Sequence, residues 1–380
     1  MKSISGLICS LLLFGQAFSQ NHNAYYQSLV DQVNKNNIIQ YLNDLESFGE
    51  KTLGSDGEAD ALQWLISNYQ SWGYDNIETH KVNAYGQTGY NLIVTKTGTV
   101  HPETFVIIDG HYDSINGPGT NDNGSGTSVI LELARILVDV NTEYSIKFIH
   151  FTAEEWGLIG SQQYVDEIVV PENLDIKLVL NIDEIGGIAG MNNDTVVCER
   201  DESSPSYNNA ASAQATVELA NSIELYSVLN TTFDYAYGSD YVPFQEKGSV
   251  ITGLYEFNES PYPHSPNDTL SNLDTEYIYQ IAKGTLGALA FFSVAYDNLN
   301  TTDLNTKDIQ IYPNPADDFI KISGVQSKNK IQLFDGLGAK VFEAKDRLEQ
   351  DLIIDLRHLT NGIYTLKINE LSYKIIVQHK

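Results

Sequence analysis

Four apolar, β-rich runs in this chain are each followed by an acidic residue or a histidine. The runs read Phe-Val-Ile-Ile, Ile-Lys-Phe-Ile-His-Phe, Lys-Leu-Val-Leu-Asn-Ile and Ile-Thr-Gly-Leu-Tyr-Glu-Phe. The polar residues that follow them are His111 and Asp113, Glu154 and Glu155, Asp183, and His264. In an open, mainly parallel sheet the carboxyl ends of the strands meet at one edge, where ligands bind. These side chains are therefore expected to meet in one crevice and to form a metal site.

Helical patterns separate the runs and supply the crossovers that parallel strands require. Helices are also predicted ahead of the first run, at Tyr25–Asn34, Ile38–Phe48 and Glu58–Trp72. We expect Ser55 or Asp56 to cap the last of these helices and Gly73 to end it. The fold class predicted for the larger part of the chain is therefore α/β, with a mainly parallel mixed sheet flanked by helices.

The start of the chain has the features of an export signal. Lys2 is followed by an apolar stretch, Leu7–Phe14, and by Ala-Phe-Ser at 17–19, which matches a basic start, a hydrophobic region and a small-residue cleavage site. The apolar stretch is too short to span a bilayer as a permanent helix. We predict that residues 1–19 are a signal peptide and that the mature chain has no transmembrane segment.

Charge is spread unevenly along the 380 residues. Residues 307–380 carry 11 Lys and Arg against 10 Asp and Glu, whereas residues 1–306 carry 11 against 40. This difference places a domain boundary near residue 306, and the acidic part argues against a nucleic-acid partner because it would repel phosphates. Without the signal peptide, Cys198 is the one thiol of the chain. We expect Cys198 to be buried and apolar in character rather than a nucleophile.

The chain is predicted to hold a catalytic domain at 20–296, a polar linker at 297–306 and a small all-β sandwich at 307–380. The sandwich is indicated by short alternating runs separated by turn residues. Its Ile-Tyr-Pro-Asn-Pro-Ala at 311–316, together with Asn-Gly-Ile-Tyr and Tyr-Lys-Ile-Ile-Val near the end, resembles the C-terminal sorting domain of type IX secretion substrates. The resemblance implies that the type IX secretion machinery is a partner. It also implies that the protein is exported through the periplasm and is then secreted or attached to the cell surface. The strand pattern is also compatible with a sandwich that binds carbohydrate or a partner protein.

His111 is the first candidate ligand for a metal. Positions i and i+2 at a strand end point to the same side, so Asp113 is expected to accept a hydrogen bond from the ring nitrogen that faces away from the metal. Asp122 follows in the turn-rich loop Gly-Thr-Asn-Asp-Asn-Gly-Ser-Gly, which enters a helix with an apolar face. Asp is a common helix N-cap, but Ser125 is an equally suitable cap. Asp122 is therefore left free to bridge two cations.

Glu154 and Glu155 adjoin at the end of a strand, where like charges repel unless a cation or a proton lies between them. Beside a metal, this pair provides one ligand and one base. Asp183 follows an apolar run directly. We favour Asp183 over Glu184 because the alternation of a strand directs only one of the two into the site.

His264 lies in a proline-rich loop, Glu-Ser-Pro-Tyr-Pro-His-Ser-Pro. Prolines restrict the backbone, so this loop can hold an imidazole in place. Asp268 is expected either to orient His264 or to cap the following helix.

The order His-x-Asp, Asp-Asn-Gly-Ser-Gly, Glu-Glu, Asp and His resembles metallopeptidase family 28, the co-catalytic zinc exopeptidases of the secreted leucyl aminopeptidase type. The resemblance spans about residues 38–296 and implies two zinc ions per chain. It implies that His111 and Asp183 bind one zinc, that Glu155 and His264 bind the other, and that Asp122 bridges both. It also implies that Asp113 orients His111 and that Glu154 is the general base. The implied reaction is hydrolysis of a peptide bond by a water that two metals activate.

Several activities occur in the family that the sequence resembles. An acidic crevice suits the cationic amine of a peptide better than a C-terminal carboxylate, so an aminopeptidase is favoured over a carboxypeptidase. The sequence is also compatible with a glutaminyl cyclase, which works with one zinc, and with a non-catalytic surface binding protein. The retention of both Glu154 and Glu155 argues against a non-catalytic scaffold.

The chain departs from the family pattern in one stretch. The familiar Ser-Asp-His is Ser239-Asp240-Tyr241 here. Tyr235 or Tyr237 is the candidate hydrogen-bond donor to the oxyanion. Substrate preference is left open by the sequence.

Overall fold

The computed structural model describes residues 20–236, 238–297, 310–323, 330–336, 338–344, 351–368 and 371–379. The predicted signal peptide and residues 298–306 of the predicted linker lie outside these ranges. The chain divides into two compact units, Met1–Asn298 and Leu299–Lys380.

The larger unit contains a mixed eight-stranded sheet and a separate two-stranded ribbon, in which Asn141–Thr142 (β4) pairs with Ala295–Tyr296 (β10). The strands are β1 Ile77–Ala84, β2 Gln87–Lys96, β3 His101–His111, β4 Asn141–Thr142, β5 Tyr144–Phe151, β6 Asp175–Ile182, β7 Thr195–Arg200, β8 Asn230–Tyr235, β9 Ile251–Glu256 and β10 Ala295–Tyr296. The sheet order is β1-β2-β5-β3-β6-β9-β7-β8. Strands β5, β3, β6 and β9 are neighbours and run parallel, whereas β2 and β7 pair with this central group antiparallel. The predicted α/β class with a mainly parallel mixed sheet is confirmed.

Helices cover both faces of this sheet. They are α1 Ala24–Val30, α2 Lys35–Ser47, α3 Asp56–Trp72, α4 Gly124–Leu137, α5 Ile159–Tyr164, α6 Val170–Glu172, α7 Asn209–Tyr226, α8 Tyr241–Glu246 and α9 Thr275–Phe292. The predicted end of α3 and the cap Ser55 are confirmed, and the helix begins two residues before the predicted Glu58. The side chain of Ser55 accepts a hydrogen bond from the Glu58 N–H, and Gly73 ends the helix at φ 100°. Among the described helices, none has the length and apolar content needed to cross a membrane.

The core residues of the sheet alternate between its two faces. Val106 and Ile108 of β3 pack in a large cluster with apolar residues of α2, α4, α7 and α9. Ile107 packs on the opposite face, with residues of α5 and α8. Each such side chain contributes about 1.5–3 kcal/mol on burial. Cys198 of β7 is fully buried in the first cluster, which confirms the prediction for that thiol.

The central strands bring their carboxyl ends to one edge of the sheet. Strand β3 ends at His111, and β5, β6 and β9 end at Phe151, Ile182 and Glu256. Because these four strands are parallel neighbours, the segments that follow β5, β6 and β9 begin beside His111. The fold thus positions every predicted ligand near one crevice.

The smaller unit is an all-β sandwich, as predicted. Its strands are β11 Gln310–Tyr312, β12 Phe319–Ser323, β13 Ile331–Phe334, β14 Lys340–Glu343, β15 Asp351–Asp355, β16 Gly362–Ile368 and β17 Leu371–Val377. They form a three-stranded sheet, β11-β12-β15, and a four-stranded sheet, β14-β13-β16-β17. Ile320 and Ile354 from the first sheet share a buried core with Leu333 and Leu366 from the second.

Candidate metal centre

The candidate ligands form two clusters that share Asp122. The ligand atoms of His111, Asp122 and Asp183 lie within 4.8 Å of one another, and so do those of Asp122, Glu155 and His264. The structure therefore brings together all five residues that the sequence singled out as ligands.

The first cluster is buried. Nε2 of His111 lies 3.2 Å from Oδ1 of Asp122 and 3.3 Å from Oδ1 of Asp183. The His111 side chain is only 1% exposed. Burial disfavours its charged form, but the surrounding carboxylates, Asp183 above all, outweigh burial and raise the pKa of His111 well above its usual value.

The second cluster opens to solvent. Nε2 of His264 lies 2.6 Å from Oε2 of Glu155 and 3.2 Å from Oδ2 of Asp122. The His264 side chain is 52% exposed, whereas that of Glu155 is 3% exposed. The hydrogen bond with Asp122 raises the pKa of His264 to about 9, and burial raises the pKa of Glu155 to about 9. The backbone of His264 has φ 55°, a strained conformation for a residue other than glycine.

Asp122 faces both clusters because its loop is fixed by Asp268. The Asp268 carboxylate accepts hydrogen bonds from the backbone N–H groups of Asn121, at 2.7 Å, and Asp122, at 3.0 Å. The expectation that Asp268 orients His264 or caps the next helix is wrong, because both of its oxygens hold this loop. The N-cap of α9 is Asp274.

The cap of α4 differs from the expected one. Asn123 is the N-cap, and its side chain accepts a hydrogen bond from the Gly126 N–H at 2.9 Å. Ser125 lies inside the helix, where its hydroxyl donates to the Asn121 carbonyl at 2.7 Å and accepts from the Ile185 N–H at 3.0 Å. The prediction of Ser125 as cap is wrong because this hydroxyl ties α4 to the segment after β6. Asp122 is not the cap.

Asp113 lies behind His111 and beneath Glu154. Nδ1 of His111 lies 3.4 Å from Oδ1 of Asp113 and 3.2 Å from its backbone carbonyl oxygen. The same Oδ1 accepts a hydrogen bond from the Glu154 N–H at 3.2 Å. The side chain of Asp113 is fully buried. One carboxylate therefore contacts both the back of the imidazole and the turn that carries the two glutamates.

Glu154 faces the buried cluster. Its Oε2 lies 3.9 Å from Nε2 of His111, and its side chain is 14% exposed. Burial raises the pKa of Glu154 well above its usual value, and the nearby carboxylates of Asp240 and Asp183 add to that effect. A carboxyl group in such a place is suited to taking up and giving back a proton.

Asp183, rather than Glu184, presents its carboxylate to His111. The Ser239 hydroxyl donates a hydrogen bond to Oδ2 of Asp183 at 2.7 Å, and Oδ1 faces His111 at 3.3 Å. The backbone turns at Glu184, which has φ 43°, and its carbonyl accepts from the Glu256 N–H at 2.9 Å. This turn separates the two adjacent acids.

The donor set fits a metal ion. Nε2 of His111, Oδ1 of Asp183 and Oε1 of Glu155 are buried atoms without a hydrogen-bond partner among the described residues. Buried polar atoms of native proteins usually have partners, so three such atoms in one crevice fit the role of donors to a cation. Imidazole and carboxylate groups are donors that zinc accepts.

The sequence did not reveal several residues that support the site. Lys51 is 1% exposed, and its ammonium group donates to the carbonyl oxygens of Gly49, at 3.3 Å, and Pro118. Glu256 accepts hydrogen bonds from the Asn121 amide at 3.1 Å and from the Gly187 N–H at 2.5 Å. Glu256 is the last residue of β9, just as Asp183 is the first residue after β6. This position at the carboxyl end of a parallel strand is the sequence signal that could have identified Glu256.

In the stretch Ser239-Asp240-Tyr241, which departs from the family pattern, the first and last residues donate hydrogen bonds to different acids. Ser239 contacts Asp183, but the Tyr241 hydroxyl donates to Oε2 of Glu199 at 3.0 Å. Tyr235 is 51% exposed at the end of β8, with the Arg200 guanidinium 5.4 Å from its ring centroid. Tyr237, the other candidate donor to the oxyanion, lies outside the described residues.

Comparison with known proteins agrees with this geometry. Residues 91–289, more than half of the chain, match the model of peptidase family M28. The chain belongs to peptidase family M28. Residues 310–378 match the secretion system C-terminal sorting domain, which confirms the predicted relationship of the small unit and indicates export by type IX secretion to the cell surface or the extracellular space.

Named relatives of this M28 member are aminopeptidases. Aminopeptidase YwaD of Bacillus subtilis is 33% identical over 213 residues, which are 53% of this chain and 44% of YwaD. Leucine aminopeptidase 1 of Ajellomyces capsulatus is 27% identical over 299 residues, 73% of this chain and 75% of the relative. The chain thus spans less than half the length of YwaD.

Solved structures share the fold. LapB of Legionella pneumophila superimposes with a TM-score of 0.63 and 25% identity, over 72% of this chain and 76% of LapB. The glutaminyl cyclase of Macrostomum lignano has a TM-score of 0.63 and 15% identity, over 73% of this chain and 95% of that chain. At that identity the likeness to the cyclase concerns the fold alone.

Proposed function

We propose that this M28 peptidase is a secreted, zinc-dependent aminopeptidase that removes N-terminal residues from peptides. The observation that carries the proposal is one carboxylate, Asp122, whose two oxygens face two separate clusters. We assign His111 and Asp183 to one zinc ion, Glu155 and His264 to a second, and Asp122 to both. The unpartnered buried donor atoms of these residues support the assignment.

Two zinc ions bound there would polarise the scissile carbonyl and lower the pKa of the attacking water. Glu154 is the proposed general base. Its carboxylate takes a proton from the water and passes it to the leaving amine, so that one group is base and acid in turn. Asp113 keeps the His111 ring in place through Nδ1 and fixes the Glu154 backbone.

The charges around the site favour an N-terminal amine over a C-terminal carboxylate. A carboxypeptidase requires a cation that is free to bind the substrate carboxylate. Lys51 is close enough for its charge to interact with Asp113, Asp122 and Glu155, but it is buried and its ammonium group bonds to backbone carbonyls. The names of the relatives support the same choice.

The test is hydrolysis of a panel of aminoacyl-arylamides by the full chain and by Glu154→Gln, with metal content measured on each sample. We expect Glu154→Gln to lose at least about a hundredfold in kcat, because general acid–base catalysis contributes 10²–10⁴-fold, while its zinc content stays that of the wild type. Glu103→Gln, at the exposed start of β3 and away from the ligands, is the matched control and should keep full activity.

Other results would replace the proposal by a different, defined function. A wild-type chain that binds zinc, is inactive on the whole panel and cyclises N-terminal glutamine would be a glutaminyl cyclase. Release of C-terminal residues alone would make it a carboxypeptidase. A zinc-loaded chain without turnover in any of these assays would be a binding protein.

A further inference from the structure

An aromatic pair, the exposed Tyr85 and the partly buried Trp156, lies beside the turn that carries the two glutamates. Tyr85 is 82% exposed. Its ring centroid lies 5.6 Å from that of Trp156, with the planes tilted by 43°. Trp156 follows Glu155 directly in the sequence, yet neither ring has a part in the proposed metal binding or proton transfer.

Tyr85 occupies a position where a large residue is unusual. The hairpin of β1 and β2 turns at Tyr85 and Gly86, which have φ values of 49° and 84°. Two positive φ angles are typical of a type I′ turn, whose favoured residues are Asn and Gly. A bulky residue with positive φ is strained. The turn itself therefore gives no reason for a tyrosine, and the exposed ring calls for another one.

The hairpin tip is fixed relative to the glutamates. The Asn83 N–H donates to Oε1 of Gln163 at 3.1 Å, and the Gln163 amide donates back to the Asn83 carbonyl at 2.8 Å. Val82 and Ala153, the residue before Glu154, belong to one small buried cluster. The pair is thus a preformed surface whose position does not depend on a bound substrate.

Trp156 is fixed in the same turn. Its indole N–H donates to the Thr52 hydroxyl at 3.1 Å. The N–H groups of Gly157 and Leu158 both donate to the Glu154 carbonyl at 2.8 Å, which closes the turn around Trp156. The indole therefore keeps a set position relative to the proposed base.

The proposed role of Glu154 indicates which part of a peptide would lie on the side of this turn. A group that protonates the leaving amine lies on the leaving-group side of the scissile bond. That amine belongs to the second residue of the peptide. We propose that Tyr85 and Trp156 bind the side chain of the second substrate residue and make the enzyme prefer an aromatic residue there. The proposal rests on the proposed aminopeptidase function.

The test uses three substrates that begin with the same residue, the one that is hydrolysed fastest in the arylamide panel. They are the amide of that single amino acid and two dipeptide amides, one with Gly and one with Phe as the second residue. We expect the wild type to have a higher kcat/KM for the Phe amide than for the Gly amide. Tyr85→Asn should lower that ratio about three- to tenfold, the range that loss of one aromatic contact supports. Asn suits the turn, so this variant should fold, and Tyr85→Gly provides a second one.

Tyr207→Ala is the control. Tyr207 is 75% exposed, and its hydroxyl contacts the carbonyl of Lys247. Lys247 precedes β9, so this contact lies at the opposite edge of the sheet from His264. The ratio of kcat/KM for the Phe amide to that for the Gly amide should therefore stay that of the wild type. Equal wild-type rates on the Phe and Gly amides, or a ratio unaltered by both Tyr85 substitutions, would overturn the inference and leave the aminopeptidase function intact. No hydrolysis of any amide by the zinc-loaded wild type would overturn both.

Discussion

The two clusters of the candidate metal centre are held by the chain in different ways. His111 is the last residue of β3 and Asp183 the first residue after β6, and both are enclosed by the sheet and its helices. His264 lies in a loop, with a strained backbone and about half of its side chain in solvent. Asp122 is the one residue that the clusters share.

The buried cluster is therefore a rigid position, and the cluster that contains His264 is an accessible one. A ligand on a packed strand end has little freedom, so the buried cluster keeps its geometry without a metal, whereas a loop histidine can move. In the proposed two-metal centre, a substrate would approach along the solvent-exposed side of His264. We therefore expect the buried position to bind its ion more tightly than the exposed one.

The largest effect is expected from removing the shared residue. Asp122→Asn takes away the charge that faces both histidines, so both ions should bind more weakly and kcat/KM should fall more than about a thousandfold, the scale for residues that act in the transition state. Metal analysis and arylamide hydrolysis check this outcome. Asp60→Asn, on the exposed side of α3, is the control, and a variant that kept both ions and most of the activity would end the idea of a bridge.

A second pair of variants separates the clusters. His264→Ala should lose one ion, retain the other and lower the free energy of unfolding less than His111→Ala does, because about half of the His264 side chain is in solvent. His111→Ala should also lower the free energy of unfolding by about 3 kcal/mol, because three buried carboxylates lose their partner. Zinc content and urea unfolding of the two proteins measure the contrast. Equal losses of stability would show that the two positions are held alike.

A smaller effect is expected from the support behind Asp122. Asp268→Asn leaves one amide oxygen in place of a carboxylate that accepts from two backbone N–H groups. Zinc affinity should fall about 10–100-fold, the usual effect of residues that support ligands, at unchanged protein fold. Competition with a zinc chelator gives the affinity. Asp274→Asn, the altered N-cap of α9, should leave affinity unchanged, and a similar loss in both variants would contradict a specific role for Asp268.

The smallest effect concerns the strand behind the buried cluster. His150 of β5 pairs with Gly110 of β3, is fully buried, and burial lowers its pKa to about 3. The unfolded chain binds a proton at His150 below about pH 6.5, so stability is fully present above that pH and is lost as the pH falls toward 3. Between pH 8 and pH 5.5 the wild type should lose about 1.4 kcal/mol more than His150→Gln. The measurement is the free energy of unfolding of both proteins as a function of pH. The same dependence on pH in the two proteins would refute this prediction.

The grouping of the candidate ligands was predictable because strand ends repeat a simple rule. His111, Glu155 and Asp183 each follow an apolar run, and parallel strands bring such residues to one edge. The roles of Ser125 and Asp268 were not predictable, because a loop carboxylate or a helix hydroxyl selects its partner from neighbours that the tertiary fold supplies. Ser239 supports Asp183 from 56 positions away, a contact that no periodicity indicates.

The same limit applies to Tyr85. As sequence, the tip of the hairpin reads only as a turn with Gly86 in it. The proposed role of Tyr85 depends on Trp156, which lies on a different connection between strands and whose ring centroid is 5.6 Å from that of Tyr85. Local patterns thus predicted the sheet and the grouping of the candidate ligands, whereas contacts between loops required the structure.

The proposed two-metal centre is tested most directly by adding zinc back to the chelated full chain, with bound zinc and arylamide hydrolysis followed on the same sample. We expect two ions per chain to bind in two steps of unequal affinity, with the weaker step absent from His264→Ala and full activity reached only after the second ion binds. Full activity with a single ion per chain would contradict the proposed two-metal centre.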